Sequence, residues 1–261
     1  MVSEHERHNR AFWDDDADRY QRAHGDALTD APLAWGAFRA PESELHVLGD
    51  VGDLDVLELG CGAAQWSIAL TALGARCVGL DLSIAQLRHA RRNASASAVT
   101  VPFVLASGEA APFAAASFDV VFSDHGAMSF CDPAVTVAEA ARLLRPGGRF
   151  AFCTSSPLLY LTYDRARERQ TRKLHMEYAE LGRMIFADGT IDFVRPPSEW
   201  IRLFRTHGFV VDDLLELVAP PGARTTYTDF VPADWARRWP AEQIWKLHKA
   251  DNAEVSSRHD P

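Results

Sequence analysis

Asp55-Val56-Leu57-Glu58-Leu59, then Gly60-Cys61-Gly62-Ala63-Ala64, then Gln65-Trp66-Ser67-Ile68-Ala69-Leu70 is the stretch that decides the fold. A short apolar run predicts a strand, the glycines a tight turn, and the run after them a helix. Glycine lets the backbone approach a ligand where any side chain would clash. Working outward, Cys77–Leu80 reads as a second strand ending in Asp81, followed by the helical Ala85-Gln86-Leu87-Arg88. Phe103–Ala106 reads as a third strand and Phe118–Phe122 as a fourth. Val135–Leu144 reads as a helix closed by Arg145-Pro146-Gly147-Gly148, and Arg149–Cys153 as a fifth strand. Strands alternating with helices predict an α/β fold: a parallel sheet with helices on both faces.

The flanks divide the chain. Residues 1–45 read as a helical, amphipathic N-terminal cap carrying His8, Phe12, Trp13 and Tyr20, punctuated by Pro32 and Pro41. Residues 46–155 form the core. Residues 156–195 break the rhythm and read as an inserted lid: a charged helix over 156–182, then a hairpin with Met184-Ile185-Phe186 and Ile191–Val194 about an Asp188-Gly189 turn. Residues 196–250 supply a helix at Glu199–Phe204, a sixth strand from Phe209 to about Val218, and a short last strand at Gln243–Leu247. Residues 251–261 read as a frayed tail.

Composition bounds the function. The 261 residues carry 27 Lys plus Arg against 36 Asp plus Glu, a net charge of −9, with 47% hydrophobic and 24% charged residues. That is a globular balance, and its acidity argues against a nucleic-acid partner, which needs a basic footprint. No apolar run approaches the roughly 18 residues of a membrane span, and the charged start Met1–Asp16 lacks an apolar leader core. Cys61, Cys77, Cys131 and Cys153 form no CxxC pair. They read as reduced, buried thiols of a cytoplasmic protein, and no metal site is expected.

In an open parallel sheet the carboxyl ends of the strands form the ligand crevice. Nineteen residues beyond Gly62, Asp81 ends the second strand, where a carboxylate can accept hydrogen bonds from both ribose hydroxyls. A dinucleotide site wants a third glycine three residues after the second, and Gln65 stands there. Glu58 would repel a phosphate and suits a ligand with an ammonium or sulfonium. Both residues argue against one alternative, an NAD(P)-dependent oxidoreductase. A second alternative, a non-catalytic cofactor-binding protein, stays open because fold alone never proves activity.

The chain resembles the class I S-adenosylmethionine-dependent methyltransferases. The resemblance rests on Val56–Gly62, on Gly79-Leu80-Asp81-Leu82-Ser83, on Glu109-Ala110-Ala111-Pro112-Phe113 followed by Ser117–Val121, and on Leu144–Gly148. It implies a Rossmann-like, seven-stranded, mostly parallel sheet, S-adenosyl-L-methionine as cofactor, and methyl transfer to a small organic acceptor. It implies that Glu58, Gly60, Cys61, Gly62 and Gln65 cradle the methionine part, and that Asp81 and Leu82 hold the ribose, with Gln86 within reach. Ser107, Gly108 and Glu109 would flank the adenine, Ser107 standing where an Asp is usual; Ala64 replaces the motif's third glycine. The loop Ser123-Asp124-His125-Gly126 would lie beside the sulfonium and the acceptor. His125 is then the candidate base, and Asp124 a second catalytic candidate and cofactor contact. Tyr20 and His24 would close over the cofactor, an aromatic ring being favourable near a sulfonium. Trp13, Tyr160, Tyr163, Trp200, Tyr227, Trp235, Trp239 and Trp245 are candidates for an acceptor pocket. The oligomeric state is not legible.

Overall fold

Val56, Leu57 and Leu59 have no solvent exposure, so the strand they form runs through the centre of the molecule. The structure is a computed structural model that describes residues 2–186, 188–228 and 230–251. That central strand is β1, Asp55–Leu59. The others are β2 Arg76–Asp81, β3 Phe103–Leu105, β4 Phe118–Asp124, β5 Leu144–Ser155, β6 Phe209–Leu217 and β7 Glu242–Lys249. They form one seven-stranded sheet in the order β6-β7-β5-β4-β1-β2-β3. β1, β2, β3, β4 and β5 pair in parallel; β7 runs antiparallel to both its neighbours. The larger helices are α1 Glu4–Asp30, α2 Gln65–Ala72, α3 Ile84–Ala96, α4 Gly126–Phe130, α5 Pro133–Leu143 and α6 Pro197–Thr206. α1 opens with a capping box between Ser3 and Glu6, which satisfies two donors that a helix start would otherwise leave unpaired.

Alternation along the strands splits the core in two. Val56, Ile68, Leu87, Phe122 and Ile244 pack on the face that α2 and α3 cover. Leu57, Val121, Val137, Phe150, Phe152, Trp200 and Phe204 pack on the face that α5 and α6 cover. A separate cluster of Leu159, Met184, Val194, Val231 and Trp235 holds together the outer segments above the carboxyl edge. Among the described residues, no helix is long and apolar enough to cross a membrane.

The sheet agrees with the sequence reading, and the outer segments differ from it. The N-terminal cap is helical only to Asp30 in one run; Ala34–Trp35 then pairs with Ala40–Pro41 ahead of a short helix, Glu42–Leu45. Residues 156–182 do not form one charged helix. They hold a single turn at Pro157–Leu161, a two-residue antiparallel pair of Tyr163–Asp164 with Arg169–Gln170, and a 3₁₀ turn at Tyr178–Glu180. The charges there pair locally, as Asp164 with Arg167 does at 2.8 Å, and no apolar stripe exists to seat a long helix. The hairpin is present, pairing Arg183–Ile185 with Ile191–Phe193. Leu144–Gly148 belongs to the start of β5 rather than to a separate turn, and Ser123 and Asp124 complete β4. The last strand is eight residues long and lies inside the sheet, between β5 and β6. The tail read as frayed lies, from residue 252 on, outside the described residues.

Candidate active site

The turn after β1 is shaped by contact with α4. Gly60 has φ 74°, and a Cβ there would stand 2.3 Å from the Ala127 backbone nitrogen, so only glycine lets the two segments meet. At this carboxyl edge lies a cavity of about 510 Å³. Its inner wall holds Glu58, Gly60, Cys61, Gly62, Gln65, Asp81, Leu82, Gln86 and Gly108.

Two carboxyl groups mark this inner half, Glu58 buried and Asp81 half-buried. Asp81 accepts hydrogen bonds from the Gly62 and Ser83 backbone N–H groups, both at 2.8 Å. Burial nevertheless pushes its carboxyl up to about 6. Glu58 accepts from the Ser67 N–H at 3.0 Å and the Ser67 hydroxyl at 2.5 Å, and burial pushes it up to about 8. Among the described residues neither has a cationic partner within ion-pair distance. Carboxylates removed from water without a counter-charge suit a ligand that brings positive charge or hydroxyl donors. Gln86 accepts from Gln21 of α1 at 3.0 Å, which ties the cap to α3.

Ser107 and Glu109 lie outside the cavity wall. The Ser107 hydroxyl accepts the Glu109 N–H at 3.1 Å. Glu109 accepts the Asp132 N–H at 2.7 Å and meets His5 Nε2, at the start of α1, at 2.5 Å, so its carboxylate is already engaged.

His125 caps α4 with φ 58° and ψ −84°, and its N–H donates to the Cys153 carbonyl at 2.9 Å. Its Nε2 lies 2.6 Å from Glu242 Oε1. Glu242 is 1% exposed and also accepts the Ala37 N–H at 2.8 Å. Burial acts to lower the imidazole pKa, but the hydrogen bond and charge of Glu242 outweigh it, and the net direction is up. Sequence reasoning missed Glu242. Because β7 is antiparallel, its first residue falls at the carboxyl edge, opposite Ser155; an acid opening an apolar strand was the available signal.

Asp124 accepts the Gly36 N–H at 3.0 Å and the Trp66 indole N–H at 3.3 Å, and the Arg39 guanidinium stands 4.0 Å away. Burial pushes its carboxyl up. It anchors the segment after α1 to the sheet. The β4–β5 register sets Cys153 opposite Asp124, so Asp124, His125 and Cys153 offer ligand atoms within 4.8 Å of one another. Sequence spacing could not show this Cys/His proximity. Burial drives the Cys153 thiol far up, and Nε2 of His125 is already engaged, so the trio forms a hydrogen-bonding cluster rather than a ready ligand set.

The outer half comes from elements far apart in sequence. Tyr20, Trp13, Tyr160, Tyr163 and Tyr227 line it. Tyr20 and Tyr227 meet through their hydroxyls at 2.6 Å; His24 stacks on Tyr227 at 4.1 Å from behind the wall. Trp200 and Trp245 sit in the sheet core, and Trp235 and Trp239 in the outer cluster. Tyr160 donates to Asp192 at 2.8 Å. Asn9 of α1, fully buried, donates to the Phe130 and Ile191 carbonyls at 2.9 Å and accepts the Ile191 N–H at 2.8 Å. It clamps α1, α4 and the hairpin together. Nothing in the sequence pattern singled out Asn9, Arg39 or Asp192.

A family model described as "Methyltransferase domain" matches residues 57–152. The ubiquinone biosynthesis O-methyltransferase of Thiobacillus denitrificans is 30% identical over 194 residues, 72% of this chain and 75% of that protein. The demethylmenaquinone methyltransferase of Mycobacterium sp. (strain KMS) is 35% identical over 130 residues, 49% of this chain; the match spans about half of that relative, 54%. The crystal structure of an S-adenosylmethionine dependent methyltransferase from Mesorhizobium loti superposes with a TM-score of 0.64 at 22% identity, covering 79% of this chain and 95% of that one.

Proposed function

The chain belongs to the class I S-adenosylmethionine-dependent methyltransferases, and from that membership we propose that it transfers a methyl group to a small organic acceptor. One observation carries the reading: the buried Glu58 and the half-buried Asp81, with no cationic partner among the described residues, face one cavity beside a turn where a Cβ on Gly60 would strike the Ala127 nitrogen. The residues present fit the cofactor. Asp81 would take the ribose hydroxyls, Glu58 would answer the positive charge of the methionine end, and Gly60, Cys61, Gly62 and Gln65 would form the floor, with Leu82, Gln86 and Gly108 beside them.

When bound, S-adenosyl-L-methionine supplies an electrophilic methyl group on a sulfonium, open to in-line attack. The chain's own part is to align, to exclude water and to accept a proton. His125 at the cavity wall is the base, and Glu242 behind it holds the ring and stabilises its protonated form. Asp124 acts as an anchor for Gly36 and Arg39 rather than as a base. Residues 156–195 and α1 form the acceptor lid, held by Asn9.

Titration calorimetry with S-adenosylhomocysteine tests the cofactor site. Asp81→Ala should weaken binding at least about tenfold, because a hydroxyl-to-carboxylate contact is worth about 1.5–3 kcal/mol. Unchanged affinity in that variant overturns the assignment. An acceptor screen that traps the methylated product tests the transfer itself.

A further inference from the structure

The outer half of the cavity is walled by Tyr160, Tyr163, Phe186, Asp192 and Phe230. The Tyr160 and Phe186 rings lie 6.1 Å apart between centroids, and Phe230 stands edge-on to His125 at 5.9 Å. Among the described residues lining the cavity, the groups able to carry positive charge are Arg39 and His125. Each already has a carboxylate: Asp124 at 4.0 Å for Arg39 and Glu242 at 2.6 Å for His125. Asp192 differs. Its Oδ2 accepts the Tyr160 hydroxyl at 2.8 Å, and no ion pair reaches it among the described residues. Its carboxyl is pushed up to about 7 by burial, the mark of a charge site without a counter-ion.

We propose that this outer half binds a cationic amine of the methyl acceptor, with Asp192 as the counter-charge and the Tyr160 and Phe186 rings as its walls. The proposal rests on the methyltransferase reading and adds the acceptor's chemical class. An ammonium entering here gains a carboxylate that burial has left uncompensated. It also gains aromatic faces, whose quadrupole attracts cations. A carboxylate or phosphate in the same place would be repelled by Asp192, while Arg39 and His125, the lining cations, each already face a carboxylate, so the chamber disfavours anionic acceptors by charge. Tyr160 is the positioning residue: its hydroxyl fixes Oδ2 and leaves Oδ1 for the amine. Asp192 and His125 act on each other electrostatically, so one small molecule can present its amine to Asp192 and its nucleophile to His125.

The test uses three phenols of similar size that differ in charge: tyramine (cation), 4-ethylphenol (neutral) and 4-hydroxyphenylacetate (anion). Each is titrated by calorimetry into the full chain saturated with S-adenosylhomocysteine, so turnover is not required. Tyramine should bind at least about tenfold more tightly than 4-ethylphenol, and the anion most weakly. In Asp192→Asn the preference for tyramine over 4-ethylphenol should vanish, and in Asp192→Glu it should partly return. The affinity for S-adenosylhomocysteine reports that each variant is folded. Equal binding of the three phenols, no measurable binding of tyramine, or a preference that survives Asp192→Asn overturns the proposal. Failure of S-adenosylhomocysteine to bind the unmodified protein overturns instead the methyltransferase reading beneath it.

Discussion

The two halves of the cavity are built by different means. The inner half is made where strands end: β1 and β2 deliver Glu58 and Asp81, and backbone N–H groups of Gly62, Ser67 and Ser83 hold both carboxyls. Its parts are fixed by the sheet ladder and by close backbone contact between Gly60 and α4. Apart from Trp13 and Tyr20 on α1, the outer half is made of side chains on short pieces, a five-residue helix, two-residue strands and a small hairpin, joined by the Tyr20–Tyr227 and Tyr160–Asp192 hydrogen bonds and the Asn9 clamp. A ladder of backbone bonds tolerates little change; a wall of side chains on short elements can be rebuilt without disturbing the sheet. Under the proposed function, the inner half accordingly serves the shared cofactor chemistry and the outer half the choice of acceptor.

The contrast breaks most sharply at Gly60. Gly60→Ala should destabilise the protein by at least about 3 kcal/mol, because its Cβ would fall 2.3 Å from the Ala127 nitrogen with φ at 74°. Denaturant unfolding measures it. A loss below about 1 kcal/mol would show that the inner half yields as easily as the outer.

The seam between the halves is His125. His125→Ala should lower turnover by about 10²-fold while cofactor affinity stays nearly constant. Glu242→Gln sharpens the point through the pH profile. Glu242 raises the imidazole pKa above its usual value, and a base works only when deprotonated. Removing the charge should thus move the acid limb of kcat to lower pH. A limb that stays in place separates Glu242 from proton transfer.

Both halves carry a pH signature through raised carboxyls, and the one from Glu58 in the inner half reaches to the highest pH. Glu58 is raised by burial from 4.5 to about 8. Across that window the folded protein keeps a proton that the unfolded chain releases. Stability of the ligand-free protein should therefore fall as pH rises from about 5 to about 8, and Glu58→Gln should reduce that slope, most of all at its upper end, above the values of Asp81 and Asp192. A positive ligand favours the ionised carboxyl, so S-adenosylmethionine affinity should rise with pH over the same range, by no more than about tenfold per unit. Calorimetry across pH checks both signs.

How much of this was legible in the sequence follows the same division. The strands β1, β2, β4 and β5 each contain a short apolar run, and the acid ending β2 follows Gly62 at fixed spacing, so the sheet and much of the inner wall could be read from the sequence. Over 156–182 the charges suggested a helix, but Asp164, Arg167, Arg169 and Gln170 serve tight local pairs instead. Glu242 meets His125 across 117 residues, and Asn9 meets Ile191 across 182; local periodicity carries no trace of either. Ser107 bonds the Glu109 N–H, and Glu109 meets His5 and Asp132 from distant segments, contacts that no local spacing shows.

The smallest expected effect lies inside the rigid half. Ala64 stands where the family has a third glycine, and it is held at φ 61° and ψ 30° as the N-cap of α2. An L-residue in the left-handed region costs roughly 1–2 kcal/mol, which glycine avoids. Its N–H nevertheless donates to the Cys61 carbonyl at 2.7 Å, and its side chain is fully buried. Ala64→Gly relieves the backbone but gives up one buried methyl, worth about 0.8 kcal/mol, and adds freedom to the unfolded chain. The net change should be small, within about 1 kcal/mol of zero, with cofactor affinity unaltered. Thermal unfolding and calorimetry on this variant measure both quantities. A large loss of stability would mean that packing of the methyl, rather than the glycine-like backbone, holds the turn under the cofactor.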